Sequence, residues 1–187
     1  GVDTFFKRWQ ETRPASSTDK QPNILWDPRQ FRSHRLQALY EDARRVAGLR
    51  VPVLILGERG TGKTTLASWI RFRSPFRRPE LDTQWPAVPC GQYTAETMRS
   101  ELFGYVKGAF TGAVRDHEGL LGRAKGDTLF LDEIGDISKD LQRLLIKVLE
   151  EGAYQPLGST DVHYTDLRVL TATNLTPDMF RTGLDAD

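Results

Sequence analysis

The sequence predicts an α/β fold, in which helices flank a mainly parallel sheet. Short apolar runs of strand length alternate along the chain with segments whose apolar residues recur every three or four positions. The run at residues 51–56 is continuously apolar and ends at a glycine, which is typical of a strand buried on both faces of a parallel sheet. Strands alternating with helices predict crossover connections and therefore parallel pairing.

The predicted elements follow in order along the chain. The first helix is expected to begin near Phe31 and to end at Gly48, with its apolar positions at Leu36, Leu39, Tyr40, Ala43, Val46 and Ala47. Further strands are expected at residues 87–88, 128–131 and 167–172. Further helices are expected at residues 63–73, at 94–103 with Thr94 as N-cap, and after Ser138, where the apolar face is Leu141, Leu144, Leu145, Val148 and Leu149.

The chain of 187 residues is long enough for one domain with a hydrophobic core. Residues 29–187 are assigned to that domain, and the polar residues 1–28 to a linker or docking arm. The apolar residues Phe5, Phe6 and Trp9 either anchor this arm on the domain or end a preceding domain. Because the chain begins without Met and stops inside a helical pattern, we expect it to be a piece of a longer protein.

Composition limits the classes of function. Lys and Arg total 26 against 25 Asp and Glu, a net charge of +1, so a DNA-binding module is expected only in a domain outside this piece. The single cysteine, Cys90, excludes an internal disulfide, and the three histidines are too scattered to predict a metal site. No apolar run reaches the length of a membrane span and no signal peptide is visible, so a cytoplasmic protein without membrane contact is expected.

Residues 57–64 read G-E-R-G-T-G-K-T and match the pattern G-x-x-x-x-G-K-[ST] between a predicted strand and a predicted helix. Glycines allow the backbone to approach phosphate closely, while Lys63 supplies a full positive charge and Thr64 a hydroxyl for Mg²⁺. The alternative is a glycine turn with a coincidental Lys-Thr, which the strand and helix around it disfavour. The predicted nucleotide-binding residues are Gly57, Glu58, Arg59, Gly60, Thr61, Gly62, Lys63, Thr64 and Thr65.

Two further polar positions follow predicted strands. Asp132 and Glu133 come after residues 128–131. Asp132 is expected to be a partner of Mg²⁺, either directly or through another ligand, and Glu133 is expected to orient and polarise the attacking water. The alternative is a pair of surface carboxylates. Asn174 follows the last strand and either senses the terminal phosphate or forms a turn.

The pattern of residues 101–113 is not typical of a segment in the hydrophobic core. Gly104, Gly108 and Gly112 recur at four-residue spacing around a single large aromatic residue, Phe110. This pattern favours a loop that presents an apolar tip to a partner. A buried Phe110 on a glycine-rich turn is the alternative.

The motif G-A-F-T-G-A at residues 108–113, preceded by E-L-F-G, resembles the signature loop of bacterial enhancer-binding proteins. These are the AAA+ ATPases that activate sigma-54-dependent transcription. The resemblance extends over residues 33–174 and includes the phosphate loop, the segment T-L-F-L-D-E-I at 128–134 and the strand that ends before Asn174. The six-residue loop is specific to this family, whereas the two strand motifs are common to many AAA+ proteins.

The resemblance implies an AAA+ P-loop NTPase core that hydrolyses ATP with Mg²⁺, within a homo-oligomeric ring that is usually a hexamer. It also implies that sigma-54 factor and RNA polymerase are the partners and that the family's helical lid is missing from this chain. The residues that it implies contact the sigma factor are Gly108, Ala109, Phe110, Thr111, Gly112 and Ala113.

Several positions depart from the family pattern. Pro89 stands where the family usually has an Asn that restrains the catalytic glutamate, and Pro156 stands where it usually has an Arg. Thr64 replaces a usual Glu. Arg181 fits the start of the family's F-R-x-x-L pattern and is the candidate trans-acting arginine, although the second arginine would fall on Asp187. Two alternatives therefore stay open: an AAA+ remodeller of a different protein target, or a nucleotide-gated assembly scaffold with little hydrolysis.

Overall fold

The computed structural model describes residues 27–176. The sequence-based assignments of residues 1–26 to a linker or docking arm and of Arg181 to a trans-acting role therefore lie outside the described residues. Within residues 27–176, no helix is both long and apolar enough to cross a lipid bilayer.

A sheet of four parallel strands forms the centre of the fold, in the order β1-β8-β5-β2. These strands are β1 (Val53–Leu56), β2 (Ala87–Pro89), β5 (Thr128–Asp132) and β8 (Arg168–Thr173). The helices of the described part are α1 (His34–Ala47), α2 (Lys63–Phe72), α3 (Ala95–Phe103), α4 (Leu120–Arg123) and α5 (Lys139–Glu151). The predicted α/β fold with a parallel sheet is thereby confirmed.

Two hydrophobic clusters cover the two faces of the sheet, because successive strand residues point to opposite sides. Phe130 and Leu170 pack with α1 and α2, in a cluster that includes Tyr40 and Trp69. On the other face, Leu129, Leu131 and Val169 pack with apolar residues of α3 and α5. Burial of β5 and β8 on both faces explains the apolar residues 129–131 and 169–170 at successive positions.

The expectation that the first strand is buried on both faces is wrong. β1 lies at an edge of the sheet in the described part of the chain, and Leu54 and Leu56 remain 45% and 43% exposed. Leu36 and Leu39 of α1 are also exposed, since that helix packs through Tyr40, Ala43 and Ala47 instead.

Some element boundaries and small elements also differ from the expectations. Helix α1 begins at His34 rather than near Phe31, because the Ser33 side chain caps it by accepting from the Leu36 N–H. Leu149 of α5 is exposed rather than part of its buried face. Two antiparallel pairs were not expected: β3 (Gly104–Tyr105) with β4 (His117–Glu118), and β6 (Ala153–Tyr154) with β7 (His163–Tyr164).

Two buried arginines fix the amino-terminal ends of the central strands. Arg168, at the start of β8, donates to the carbonyl oxygens of Val46, Ala47 and Val51 at 2.8, 3.2 and 3.2 Å. These bonds satisfy carbonyl groups at the end of α1 and before β1. Burial of this guanidinium lowers the pKa of Arg168.

The second buried arginine is Arg71 of α2. It binds Asp127 with Nε–Oδ1 at 3.0 Å and Asp82 with NH1–Oδ1 at 2.9 Å. Asp127 also accepts from the backbone N–H groups of Thr128 and Arg78. The start of β5 is thereby fixed against α2, and the buried charges are compensated.

We expect Arg168→Met to lower the free energy of unfolding by about 3 kcal/mol, because three carbonyl groups lose the buried guanidinium that donates to them. Urea denaturation followed by tryptophan fluorescence measures this change. The matched control is Arg143→Met, which removes an exposed arginine of α5. Equal losses for the two variants would contradict the role assigned to Arg168.

Candidate nucleotide-binding site

The carboxyl ends of three parallel strands meet at one edge of the sheet. Leu56 pairs with Thr173, Asp132 pairs with Ala172, and the Gly57 N–H donates to the Thr173 carbonyl oxygen at 3.2 Å. The structure therefore brings together the glycine loop, the acidic pair and Asn174, which lie far apart in the sequence. In open parallel sheets this edge is where ligands usually bind.

The glycine loop leads directly into helix α2. Gly60 and Gly62 have φ angles of +79° and +88°, a region that other residues rarely adopt. Gly62 is the N-cap of α2, and no side chain of the described residues caps this helix. The first amides of α2 are therefore suited to an anion placed at the helix N-terminus.

Lys63 is buried, with 8% exposure, although its side chain is charged. Its Nζ donates to the carbonyl oxygens of Gly57 and Glu58 at 2.9 and 3.2 Å. The same Nζ lies 3.3 Å from Glu133 Oε1. These three oxygen contacts compensate the buried ammonium.

Thr64 and Asp132 are joined by a hydrogen bond at the same edge of the sheet. The Thr64 hydroxyl donates to Asp132 Oδ2 at 3.1 Å. A hydroxyl beside a carboxylate is a pair of hard oxygen ligands, which fits Mg²⁺. Within residues 27–176, no group of three or more His, Cys, Asp or Glu could hold a metal, so Thr64 and Asp132 would leave the other positions around Mg²⁺ to water or phosphate oxygens.

Glu133 is the one non-glycine residue with positive φ in the described part of the chain, at φ 56° and ψ 57°. A left-handed conformation costs a residue with a side chain about 1 kcal/mol. Its Oε2 accepts from the Asn174 backbone N–H at 2.9 Å. Asn174 thus contacts Glu133 through its main chain, while its residue surface is exposed.

The remaining residues of the glycine loop lie around its turn. Thr61 Oγ1 donates to the Glu58 carbonyl oxygen at 2.8 Å, and Arg59 is exposed. Thr65 lines a groove of about 1090 Å³ between α1 and β1, which the sequence did not predict. The groove opens onto the loop and is mainly apolar, with Leu36 and Leu39 among its lining residues.

Pro89 ends strand β2 and pairs in register with Asp132 of β5. Proline has neither a backbone N–H nor a polar side chain, so this position offers Glu133 no donor. The next residue, Cys90, is buried, and burial raises the pKa of its thiol to about 12, with the nearby charges of Asp132 and Asp136 acting in the same direction. A thiol in this state is not a nucleophile at neutral pH.

The loop at residues 106–116 extends from the β3–β4 pair and is closed by hydrogen bonds that two of its backbone N–H groups donate. The Gly108 N–H donates to the Ala113 carbonyl at 2.8 Å, and the Lys107 N–H donates to Asp116 Oδ1 at 2.7 Å. The loop is also joined to residue 157, because the Val106 N–H donates to the Leu157 carbonyl oxygen at 3.1 Å.

Phe110 lies at the tip of this loop and is 46% exposed. Its ring packs edge-on against Tyr105, with 4.9 Å between centroids, and Tyr105 stacks on His117 at 5.1 Å. The Phe110 ring is therefore partly accessible to solvent and partly packed against Tyr105. Neither the Tyr105 support nor the bond to Leu157 was predicted, because both depend on how the hairpin folds.

The raised pKa of Cys90 predicts a loss of stability at alkaline pH. An unfolded thiol has a pKa of about 9, so the protonated, folded form contributes stability that is complete below this pH and is lost as the pH rises toward 12. At pH 10 we expect wild type to have lost about 1 kcal/mol more free energy of unfolding, relative to pH 8, than Cys90→Ala. Urea denaturation at the two pH values measures this, and equal losses would contradict it.

Residues 30–182 match the sequence profile of the Sigma-54 interaction domain. The chain is 47% identical over 140 residues to the hydrogenase transcriptional regulatory protein HoxA of Cupriavidus necator, a match that covers 74% of this chain and 28% of HoxA. It is 43% identical over 152 residues to the alginate biosynthesis transcriptional regulatory protein AlgB of Pseudomonas syringae pv. tomato, covering 81% of this chain and 33% of AlgB.

Among solved structures, NtrX from Brucella abortus in complex with ATP superposes with a TM-score of 0.69 at 26% sequence identity, covering 82% of this chain and 32% of that one. The chain thus spans about a fifth to a third of the length of the relatives it matches. The profile match extends over most of the chain, and it confirms the resemblance carried by the glycine loop and the G-A-F-T-G-A motif. The chain belongs to the family of sigma-54 interaction domains.

Proposed function

We propose that this chain is an ATP-binding and ATP-hydrolysing AAA+ domain that remodels the closed complex of sigma-54 RNA polymerase to activate transcription. The observation that carries this proposal is the cluster of Lys63, Thr64, Asp132, Glu133 and Asn174 at one edge of the parallel sheet. Family membership supports the sigma-54 partner.

The proposed binding mode of ATP uses both the glycine loop and the groove beside it. The phosphates would lie against the N-terminus of α2, where Lys63 supplies the charge. The base and ribose would enter the apolar groove between α1 and β1, past Thr65. The complex of the similar NtrX with ATP supports this nucleotide.

Thr64 and Asp132 are the residues that would hold Mg²⁺. When bound, the metal would neutralise part of the phosphate charge. The hydroxyl and the carboxylate are already oriented toward each other by their 3.1 Å hydrogen bond, so little reorganisation of the protein is needed.

Glu133 is proposed as the base for hydrolysis. Its carboxylate accepts a proton from water as the water oxygen bonds to the terminal phosphorus and the bond to the bridging oxygen breaks. Asn174 is proposed to sense the terminal phosphate from the neighbouring strand. Arg181 is proposed to act on the nucleotide of an adjacent copy in a homo-oligomeric ring.

The loop that carries Phe110 is proposed to contact the sigma factor. The exposed part of the Phe110 ring gives an apolar contact at the tip, and residues 108–113 surround it. DNA contact is proposed for a domain outside this chain, and the cytoplasm is the proposed location. The domain assignment of residues 29–187 after an arm at 1–28 is part of the same proposal.

A second candidate function is nucleotide-gated assembly with little hydrolysis, or remodelling of another target. Pro89 favours it, because this residue pairs with Asp132 and offers no donor to Glu133. Pro156, before Leu157 at the base of the Phe110 loop, is another departure from the family pattern. The two experiments that follow separate these candidates.

We expect Glu133→Gln to lower ATP turnover by about 10²–10⁴-fold with nucleotide binding retained, since a general base contributes about this much. Phosphate release measures turnover. Asp136→Asn is the control, because Asp136 is an exposed carboxylate three residues away that is not among the proposed catalytic residues. Turnover of wild type no higher than that of Glu133→Gln would instead support the assembly scaffold.

We expect Phe110→Ala to abolish binding to sigma-54 in the presence of an ATP transition-state analogue, with nucleotide affinity unchanged. Pulldown with sigma-54 and core polymerase measures the interaction. The control is Val114→Ala, which truncates a 77% exposed apolar side chain of the same loop. Normal binding by the Phe110 variant would exclude the proposed contact and favour a different target.

A further inference from the structure

We propose that Lys63 and the backbone N–H of Asn174 together hold the Glu133 carboxylate, and that phosphate arriving at Lys63 removes one of these two contacts. The phosphate-binding lysine would then also be a positioning residue for the proposed base. This inference rests on the proposed function of the site, and it adds the way in which Glu133 is kept inactive until a nucleotide is bound.

The neighbouring strand cannot restrain Glu133 in this chain. Pro89 lies opposite Asp132 in the β2–β5 register and has neither an N–H nor a polar side-chain atom. The two oxygens of Glu133 turn instead toward the opposite side of β5, where β8 and the glycine loop lie. Oε1 is 3.3 Å from Lys63 Nζ, and Oε2 is 2.9 Å from the Asn174 nitrogen.

The charge of Lys63 makes its contact with Glu133 competitive with phosphate. Lys63 donates hydrogen bonds to the carbonyl oxygens of Gly57 and Glu58, and it forms an ion pair with the carboxylate of Glu133 at 3.3 Å. A phosphate oxygen that approaches Nζ brings negative charge to the same ammonium group and therefore competes with the Glu133 carboxylate for it. Glu133 is the longest of the three contacts and the only one on a side chain, so it is the one expected to leave.

After the Glu133 carboxylate leaves Lys63, its hydrogen bond from the Asn174 N–H remains. This N–H is a backbone group at the end of β8, whose position is fixed by pairing with β1 and β5. The left-handed backbone at Glu133 directs the side chain toward this edge. After release, one oxygen remains bonded to Asn174 and the other is available to accept from water.

Binding couplings are reciprocal, so the competition must act in both directions. If phosphate binding weakens the Lys63–Glu133 contact, then removing the charge of Glu133 must strengthen phosphate binding. Glu133→Gln keeps the shape of the side chain and an oxygen that can accept from Asn174. It removes the charge that competes for Lys63.

The first experiment examines the hold on Glu133 without nucleotide. We expect the Asn174 amide proton of the 187-residue chain to resonate downfield, because its acceptor is a carboxylate. In Glu133→Gln the acceptor is neutral, and the resonance should move upfield in an amide correlation spectrum. Asp136→Asn should leave it in place. An Asn174 resonance that is the same in wild type and Glu133→Gln would overturn the proposal.

The second experiment measures the coupling with a fluorescent, non-hydrolysable ATP analogue. We expect Glu133→Gln to bind the analogue about three- to tenfold more tightly than wild type, as removal of one partly exposed competing charge predicts. Asp136→Asn removes a carboxylate from the same turn that does not contact Lys63, so its affinity should match wild type. Equal tightening in both variants would show a general charge effect and overturn the proposal.

The two readouts separate failure of this inference from failure of the proposed function. If the Asn174 resonance shifts but the analogue does not bind, the hydrogen bond from Asn174 to Glu133 is supported. Nucleotide binding is then refuted, and so is the release of Glu133 by phosphate. If the analogue binds but the Asn174 resonance does not shift, the proposed nucleotide site is supported. The proposal that Lys63 and Asn174 hold the Glu133 carboxylate is then refuted.

Discussion

The parallel pairing of β5 and β8 is the constraint on which the candidate site depends. Each strand ends at the same edge, so the register alone decides that Asp132, Glu133 and Asn174 lie together. The opposite ends of these strands are fixed by buried guanidinium groups, those of Arg168 and Arg71. The rigid contacts thus lie at one end of the sheet and the proposed catalytic groups at the other.

The positive charge of Lys63 is compensated by the residues around it. Lys63 is nearly buried and would be costly to leave without partners, and Glu133 supplies the one negative charge among its three contacts. In the proposed function, an incoming polyphosphate brings more negative charge than the carboxylate that it displaces. The Glu133 carboxylate would then compensate Lys63 before nucleotide binds, and exchange with phosphate would be favoured once nucleotide is present.

The sequence predicted the contiguous parts of the site and missed those that depend on tertiary structure. Residues 57–64 carry their own signal, since glycines, lysine and hydroxyl occur at fixed spacing. The exposure of Leu54 could not be predicted, because an edge strand and a central strand have the same apolar pattern. The contacts of Glu133 with Lys63 and of Phe110 with Tyr105 were missed because they join segments through folding rather than through sequence spacing.

The left-handed backbone of Glu133 has a consequence for attempts to stabilise this domain. Glycine adopts that conformation without penalty, so Glu133→Gly recovers part of about 1 kcal/mol of backbone strain. The same substitution leaves the buried ammonium of Lys63 without its carboxylate partner and deletes the proposed base. Backbone strain and the electrostatics of Lys63 thus oppose each other at this one position, and a thermostabilised version of the domain has to leave Glu133 unchanged.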